Sequence, residues 1–559
     1  MNARMKMGRW IASCLIITGG AMPARGGDGP ERPKLVVGIV VDQMRWDYLY
    51  RFQDRYTETG FKRLLREGFS CENTMVNYIP TYTAIGHATI YTGSVPSIHG
   101  IAGNDFIVQA TGQSLYCTRD ETARSVGTPG GDVAAGKMSP RNLKATTITD
   151  ELKLATNFRA RVIGVALKDR GSILPAGHAA DAAYWFDGES GNWITSSWYR
   201  EELPGWLEAY NRTRPAEKYL AQEWNTLYPI ETYLQSTPDD NPYEEPFEGE
   251  TPPRFPIKTA ELAKKQGAGL VRATPYGTTM TLDVARLAIE HERLGEDGIT
   301  DFLAVSLSSP DYIGHQFGPN SIKTEDAYLR LDKELGDFLS FLDERVGRGN
   351  YLLFLTADHA GAHNGQFLLD HDIPAGNWKE GEIRAALNEH LRTLFGKEKL
   401  VLSLSNYQVS FNYKQIDGSI DREALRAATI AYLRQVKGVN HVVAMSQATT
   451  APIPALLRER IVNGYHPALS GEIQVILEPA WYSDRDLEGA THGTWNPYDS
   501  HIPLLWMGWQ VPRGRSNEEV YMTDIAPTVA ALLRVQMPNG CIGKPIIDLL
   551  KGEEREREK

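Results

Sequence analysis

Four stretches of consecutive apolar residues punctuate the chain, and each leads into a polar side chain. They are Leu35 to Val41 into Asp42, Val162 to Leu167 into Lys168, Phe302 to Leu307 towards Asp311, and Tyr351 to Leu355 towards Asp358. Runs without polar alternation suit strands covered on both faces, the condition of a mainly parallel central sheet between layers of helices. Between them, Leu282 to Leu294 and Glu325 to Val346 space their apolar residues by three and four with charges on the other side, and predict helices. Alternation of the two periods predicts an α/β fold. Ligands of such sheets gather at the carboxyl ends of the strands, which makes the closing polar residues candidates for chemistry.

Two segments break this rhythm. Ser236 to Phe255, with Thr237-Pro238-Asp239-Asp240-Asn241-Pro242 and Thr251-Pro252-Pro253, follows neither period and predicts an acidic, Pro-rich loop within a surface insertion near residues 200–280. Val401 to Pro479 places short alternating runs (Gln408 to Tyr413, Glu472 to Leu477) beside a helical run from Arg422 to Val436, and predicts a smaller α/β subdomain near 400–485. Gly267-Ala268-Gly269 opens like a dinucleotide loop, but Arg272 occupies the place of the third glycine and no clear strand precedes it. No internal repeat is evident.

The 559 residues, 42% hydrophobic and 23% charged, are enough to bury a large core. A net charge of −11 without a basic stripe argues against nucleic-acid binding, which needs clustered Lys and Arg. An acidic protein that takes an anionic ligand must offset its own field locally, with metal ions or a few placed cations. Arg4, Lys6 and Arg9, followed by the apolar run Trp10 to Ile17 and small residues, predict a signal peptide over residues 1–26, cleaved between Gly20 and Gly27, and a periplasmic or secreted product. That run is too short to cross a bilayer, and no later run is long enough. Too little apolar sequence precedes Cys14 for a lipoprotein signal. Cleavage leaves Cys71, Cys117 and Cys541, an odd number without zinc-finger spacing; one disulfide, Cys71 with Cys117, stands against buried free thiols as the alternatives.

Asp311-Tyr312-Ile313-Gly314-His315 sets a carboxylate and an imidazole four apart just after a strand, so one helical turn aims both at one point. Asp358-His359 closes another strand, Asp42 the first, and Thr491-His492-Gly493 lies far downstream. Carboxylate oxygen and imidazole nitrogen are donors that zinc accepts. Singly, such an Asp caps a helix and such a His packs in a core. Several at one edge of one sheet are not explained that way.

The segment Pro80-Thr81-Tyr82-Thr83-Ala84-Ile85-Gly86-His87, with Asp42 upstream and Pro96-Ser97-Ile98-His99-Gly100 running to Asn104, resembles the nucleophile region of the alkaline phosphatase superfamily. Lys168-Asp169-Arg170, with Ala182 to Asp187 after it, resembles the PafA-type branch. The resemblance runs from Asp42 to His501 and implies one alkaline-phosphatase-like catalytic domain over residues 27–559. It further implies two Zn²⁺: Asp311, His315 and His492 around one, Asp42, Asp358 and His359 with the Thr83 oxygen around the other. Thr83 would be the nucleophile, and Asn104, Lys168 and Arg170 would hold the phosphoryl oxygens. The implied activity is hydrolysis of small-molecule phosphate monoesters through a phosphothreonine, by a monomer with broad substrate range. A phosphodiesterase or nucleotide pyrophosphatase shares the metal ligands and the threonine; Lys168 and Arg170 favour the monoesterase. A sulfatase would need Cys or Ser in place of Thr83, and a phosphoglycerate mutase a serine. A binding protein on a decayed scaffold would lack ligands that are all present. His87 and His99 are expected to brace the nucleophile loop, while His363, His371 and His501 receive no role.

Overall fold

The computed structural model describes residues 32–247, 253–483 and 487–551. The predicted leader and Cys14 lie outside the described residues. All four apolar runs are strands of one eleven-stranded sheet: β1 (Leu35–Val41), β2 (Val162–Ala166), β3 (Asp301–Leu307) and β4 (Tyr351–Thr356). Every residue in these four strands is buried, as the absence of alternation requires. They run parallel in the order β4-β1-β3-β2, with Val37 opposite both Leu353 and Leu303 and Gly164 opposite Ala304. Ala182–Asp187 extends the parallel set beside β2. Antiparallel strands flank the parallel set on both sides, Leu504–Gly508 on β4 and Asn192–Ser196 on Ala182–Asp187, and shorter pairings continue the sheet beyond them. The parallel register brings the ends of β1, β3 and β4 level, so the turns leaving these three strands meet at one edge.

The helices carry the loops back. α1 (Thr83–Thr92) is buried at all ten positions, so its sequence is not amphipathic, and its polar His87 is buried with its own hydrogen-bond partners. It starts after Tyr82 in an extended conformation and stops at Gly93, whose φ of +63° suits glycine. α2 (Asp169–Ala176) comes directly after β2, and α3 (Ser309–Phe317) after β3. The predicted helix at Leu282 to Leu294 begins earlier, at Tyr276 behind Pro275, and ends at His291. That at Glu325 to Val346 begins at Ile322, where the Ser321 side chain caps Thr324, and ends at Leu342 before a wider turn over Asp343–Gly347.

A second, four-stranded antiparallel sheet is built from Val401–Ser403, Gln408–Phe411, Ile473–Leu477 and Val439–Ala444. It has its own core, in which Val409, Val475, Leu425 and Leu433 meet. The helix predicted there from Arg422 ends at Leu433, short of Val436. The described part of Ser236 to Phe255 contains neither helix nor strand, and Ala268–Ala273 is a short 3₁₀ turn. Cys71, Cys117 and Cys541 are free thiols, the first two buried. The Cys71–Cys117 disulfide is therefore not formed: Cys71 lies within Phe69–Met75 of the large sheet, while Cys117 comes after a separate two-stranded hairpin.

One contact fixes how α1 sits against the sheet edge. A Cβ added at Gly86 would lie 2.3 Å from the backbone oxygen of Asp358, a separation no side chain tolerates. Glycine lets α1 approach the end of β4 directly. Gly86→Ala should therefore lower stability by about 1–3 kcal/mol, visible as a fall in Tm on thermal melting; an unchanged Tm would refute so close an approach.

Candidate active site

Asp42 comes immediately after β1, and its N–H donates to the Leu307 carbonyl of β3 at 3.1 Å. One oxygen of its buried carboxylate, Oδ2, accepts from Lys168 Nζ at 2.7 Å; the other, Oδ1, has no hydrogen-bond partner. Asp311 sits in the first turn of α3 with His315 one turn on. Its Oδ1 lies 3.2 Å from His315 Nε2 and 3.6 Å from His492 Nε2, and Oδ2 accepts from Lys168 Nζ at 2.6 Å. Asp358 lies just past β4; its Oδ1 takes the backbone N–H groups of Gln43 and His359, while Oδ2 is buried without a hydrogen bond, 3.5 Å from His359 Nε2.

The three imidazoles share one arrangement. Nδ1 faces a backbone carbonyl in each: Ala490 for His315 (2.9 Å), Ala360 for His359 (2.9 Å) and Thr81 for His492 (2.6 Å). A carbonyl can only accept, so Nδ1 carries a proton in each ring, and Nε2 is the nitrogen turned to the site. This is the outer support that metal-bound histidines ordinarily have. Burial, with His359 and His315 nearby, holds His492 well below its ordinary pKa, and burial lowers His359; for His315 burial is outweighed by the Asp311 carboxylate 3.2 Å from Nε2, which raises it, so this ring would give up a proton on taking a cation. Asp311, His315 and His492 bring their donor atoms within 4.8 Å of one another, and so do Asp42, Asp311 and His359.

Burial, then the charges of Asp311 and Asp358, push the pKa of Asp42 well above the carboxylate range. Three carboxylates at one dry edge repel one another unless positive charge joins them. Lys168 supplies some. Burial disfavours its ammonium, but Asp311 and Asp42 outweigh that and raise its pKa. With two orphaned carboxylate oxygens and three aligned Nε2 atoms, the donor set fits divalent metal ions.

Thr83 opens α1, buried, with Oγ1 3.5 Å from His359 Nε2. The side-chain oxygen of Asn104 accepts the Ala84 N–H at 2.9 Å, which seats that amide on the N-terminus of the same helix. Lys168 and Arg170 flank the start of α2. Arg170 donates to Tyr116 Oη at 3.0 Å, and Tyr116 in turn donates to Asp169 Oδ1 at 2.7 Å; Thr118 bonds the other oxygen of Asp169. Every residue singled out for the site thus lies at this edge. His87 bridges the Thr83 carbonyl and Ser306 Oγ, both at 2.8 Å, and His99 contacts Thr89 at 3.2 Å, so both brace α1 as expected. His501 bonds the Glu72 carbonyl and His371 that of Phe367, outside the cluster.

Two contributors escaped sequence reasoning. Gln43 adopts φ +63°, sends its backbone N–H to Asp358 and its side-chain amide to Asp311 Oδ1 at 2.8 Å, and so ties two ligand-bearing strand ends together. Its position directly after Asp42 was the available signal. Tyr116, on a hairpin far from α2 in sequence, gave none.

Residues 36–499 match the family described as Type I phosphodiesterase / nucleotide pyrophosphatase. A protein of Myroides odoratus named calcium-transporting ATPase is 56% identical over 93% of this chain and 95% of its own length. Alkaline phosphatase PafA of Elizabethkingia meningoseptica is 47% identical over 97% of this chain and 99% of its own. The crystal structure of wild-type PafA superposes with a TM-score of 0.90 at 47% identity, covering 92% of this chain and 99% of that one. A PafA variant altered at a threonine, an asparagine, a lysine and an arginine superposes with a TM-score of 0.89. The fold is thus of the alkaline-phosphatase-like α/β class. The chain belongs to the type I phosphodiesterase/nucleotide pyrophosphatase family, on the branch of the PafA alkaline phosphatases.

Because Asp311 takes part in both donor groups, Asp311→Asn should lower the divalent metal retained by the purified protein, read by elemental analysis, whereas His371→Ala should leave it at the wild-type level. Full metal content in D311N would refute the shared site.

Proposed function

We propose that this protein is a secreted, two-zinc phosphate monoesterase that works as a monomer, with residues 27–559 as its catalytic domain and Thr83 as its nucleophile. Asp311, His315 and His492 would hold one ion, and Asp42, Asp358 and His359 the other, together with the Thr83 oxygen. The observation that carries this reading is the gathering of Thr83, three outward Nε2 atoms and three buried carboxylates at one sheet edge, beside Lys168 and Arg170. Zinc bound there would act as a Lewis acid, lowering the pKa of the Thr83 hydroxyl and offsetting charge on the departing oxygen.

The chain's own groups do the rest. Thr83, at the first position of a ten-residue helix, presents its oxygen where free amides and the helix dipole favour the phosphoryl group. Its oxygen forms the new bond to phosphorus as the ester P–O bond breaks, giving phosphothreonine and an alkoxide that takes up a proton. Water then attacks phosphorus, the P–Oγ bond breaks, and inorganic phosphate leaves. Arg170, steadied by Tyr116, offers a planar fork to the non-bridging oxygens, Lys168 a point charge, and Asn104 an amide N–H. Two cations and an amide suit a dianionic monoester better than a monoanionic diester.

The PafA variant supports these roles. The separation of its altered threonine and asparagine equals that of Thr83 and Asn104, and its altered lysine and arginine stand two apart, as Lys168 and Arg170 do. The name of the Myroides relative suggests ATP as a further substrate, whose terminal phosphoryl group the same residues would transfer to water. Among the described residues no helix is long and apolar enough to cross a membrane.

Thr83→Ala should lower kcat for an aryl phosphate by at least about a thousandfold while metal content stays near wild type; retained turnover would exclude Thr83 as nucleophile. The wild-type enzyme should show higher kcat/KM for an aryl phosphate than for its methyl diester, lose activity to a chelator and regain it with zinc. A preference for the diester would favour the phosphodiesterase reading.

A further inference from the structure

A cavity of about 410 Å³ lies beside the ligand cluster on its His315 side. Its wall includes His315, Tyr312, Phe247, Gln266 and Arg272. Tyr312 joins it to the reaction site, because Lys168 Nζ lies over the same ring, 5.0 Å from its centroid. His315 belongs to both spaces: Nε2 faces Asp311, yet its side chain is 38% exposed.

In-line displacement sets the direction in which the alcohol departs. Thr83 Oγ1 approaches from the side of His359, within the Asp42–His359 group. The bond that breaks then points across phosphorus, towards Asp311, His315 and His492. His315, on that side, also lines this cavity.

Arg272 makes the cavity selective. Its Nη2 donates to the Phe186 carbonyl at 2.7 Å, and the guanidinium lies 5.5 Å from the Phe186 ring centroid, so its position is set. Nε has no hydrogen-bond partner, and among the described residues Arg272 forms no ion pair. The side-chain nitrogen of Gln266 on the same wall is likewise without a partner. Glu245 also lines the wall, but another residue already engages it. Arg272 is only half-buried, and a ligand carboxylate or phosphate in the cavity would meet its fixed guanidinium with charge-assisted hydrogen bonds.

We propose that this cavity receives the alcohol portion of the phosphate ester and that Arg272 recognises a second anionic group on it. The preferred substrates are then phosphate monoesters whose alcohol bears a further negative charge. This rests on Thr83 being the nucleophile, since that fixes the side of departure.

The test compares kcat/KM for 4-carboxyphenyl phosphate with that for phenyl phosphate and follows their ratio, which cancels leaving-group reactivity between enzyme forms. Arg272→Gln should lower the ratio about tenfold, and Arg272→Lys should keep most of it because the charge remains. A ratio that moves by less than about twofold in R272Q, with phenyl phosphate still hydrolysed, would overturn the assignment. Because Arg272 also braces the Phe186 carbonyl, the ratio is measured in the wild-type enzyme across a salt series as well. It should fall as salt screens the attraction, whereas a flat or rising ratio would overturn the proposal without any variant. Absence of phenyl phosphate turnover in the wild-type enzyme would instead remove the phosphatase reading beneath it.

Discussion

Three buried carboxylates held at the end of one sheet are the constraint around which the rest of the structure is arranged. Asp42, Asp311 and Asp358 come from three neighbouring parallel strands or the turns just beyond them, and the register allows them no separation. Charges so close in a dry setting are tolerated only with compensating positive charge. Lys168 reaches two of the three, and the histidines turn their Nε2 atoms toward the same point. Folding thus builds an electrostatic demand that divalent cations would satisfy, and the Thr83 hydroxyl stands beside it, 3.5 Å from His359 Nε2.

Rigid backbone carries the precision. α1 lies against the end of β4 because Gly86 has no side chain to hold the two apart, and His87 pins the first turn to β3 through Ser306. Gln43, in a left-handed conformation, links the Asp42 turn to both other acidic residues. Arg170 is held by a tyrosine from a separate hairpin. Such support keeps reacting groups within the narrow tolerances that phosphoryl transfer demands, since the protein contributes mostly position and charge.

The four buried parallel strands at the centre of the sheet could be read from the chain because they depend on local pattern, while the candidate ligand set was read through the family resemblance. Unbroken apolar runs mark doubly covered strands, and the polar residue that ends each run points to the reactive edge. Helix limits were less legible: Pro275 and the Ser321 cap, not the apolar period, decide where two helices begin. The roles of Gln43, Tyr116 and Arg272 come from tertiary contacts, and no spacing along the chain announces them. Spacing along the chain left a Cys71–Cys117 disulfide and buried free thiols both open, and the structure has the free thiols, because nearness in sequence did not place the two cysteines in the same layer.

Anomalous diffraction at the zinc edge, from crystals of the mature protein, tests the central claim most directly. The account requires two peaks flanking the Thr83 oxygen, one ringed by Asp311, His315 and His492, the other by Asp42, Asp358 and His359. A single peak, or peaks remote from that oxygen, would contradict it.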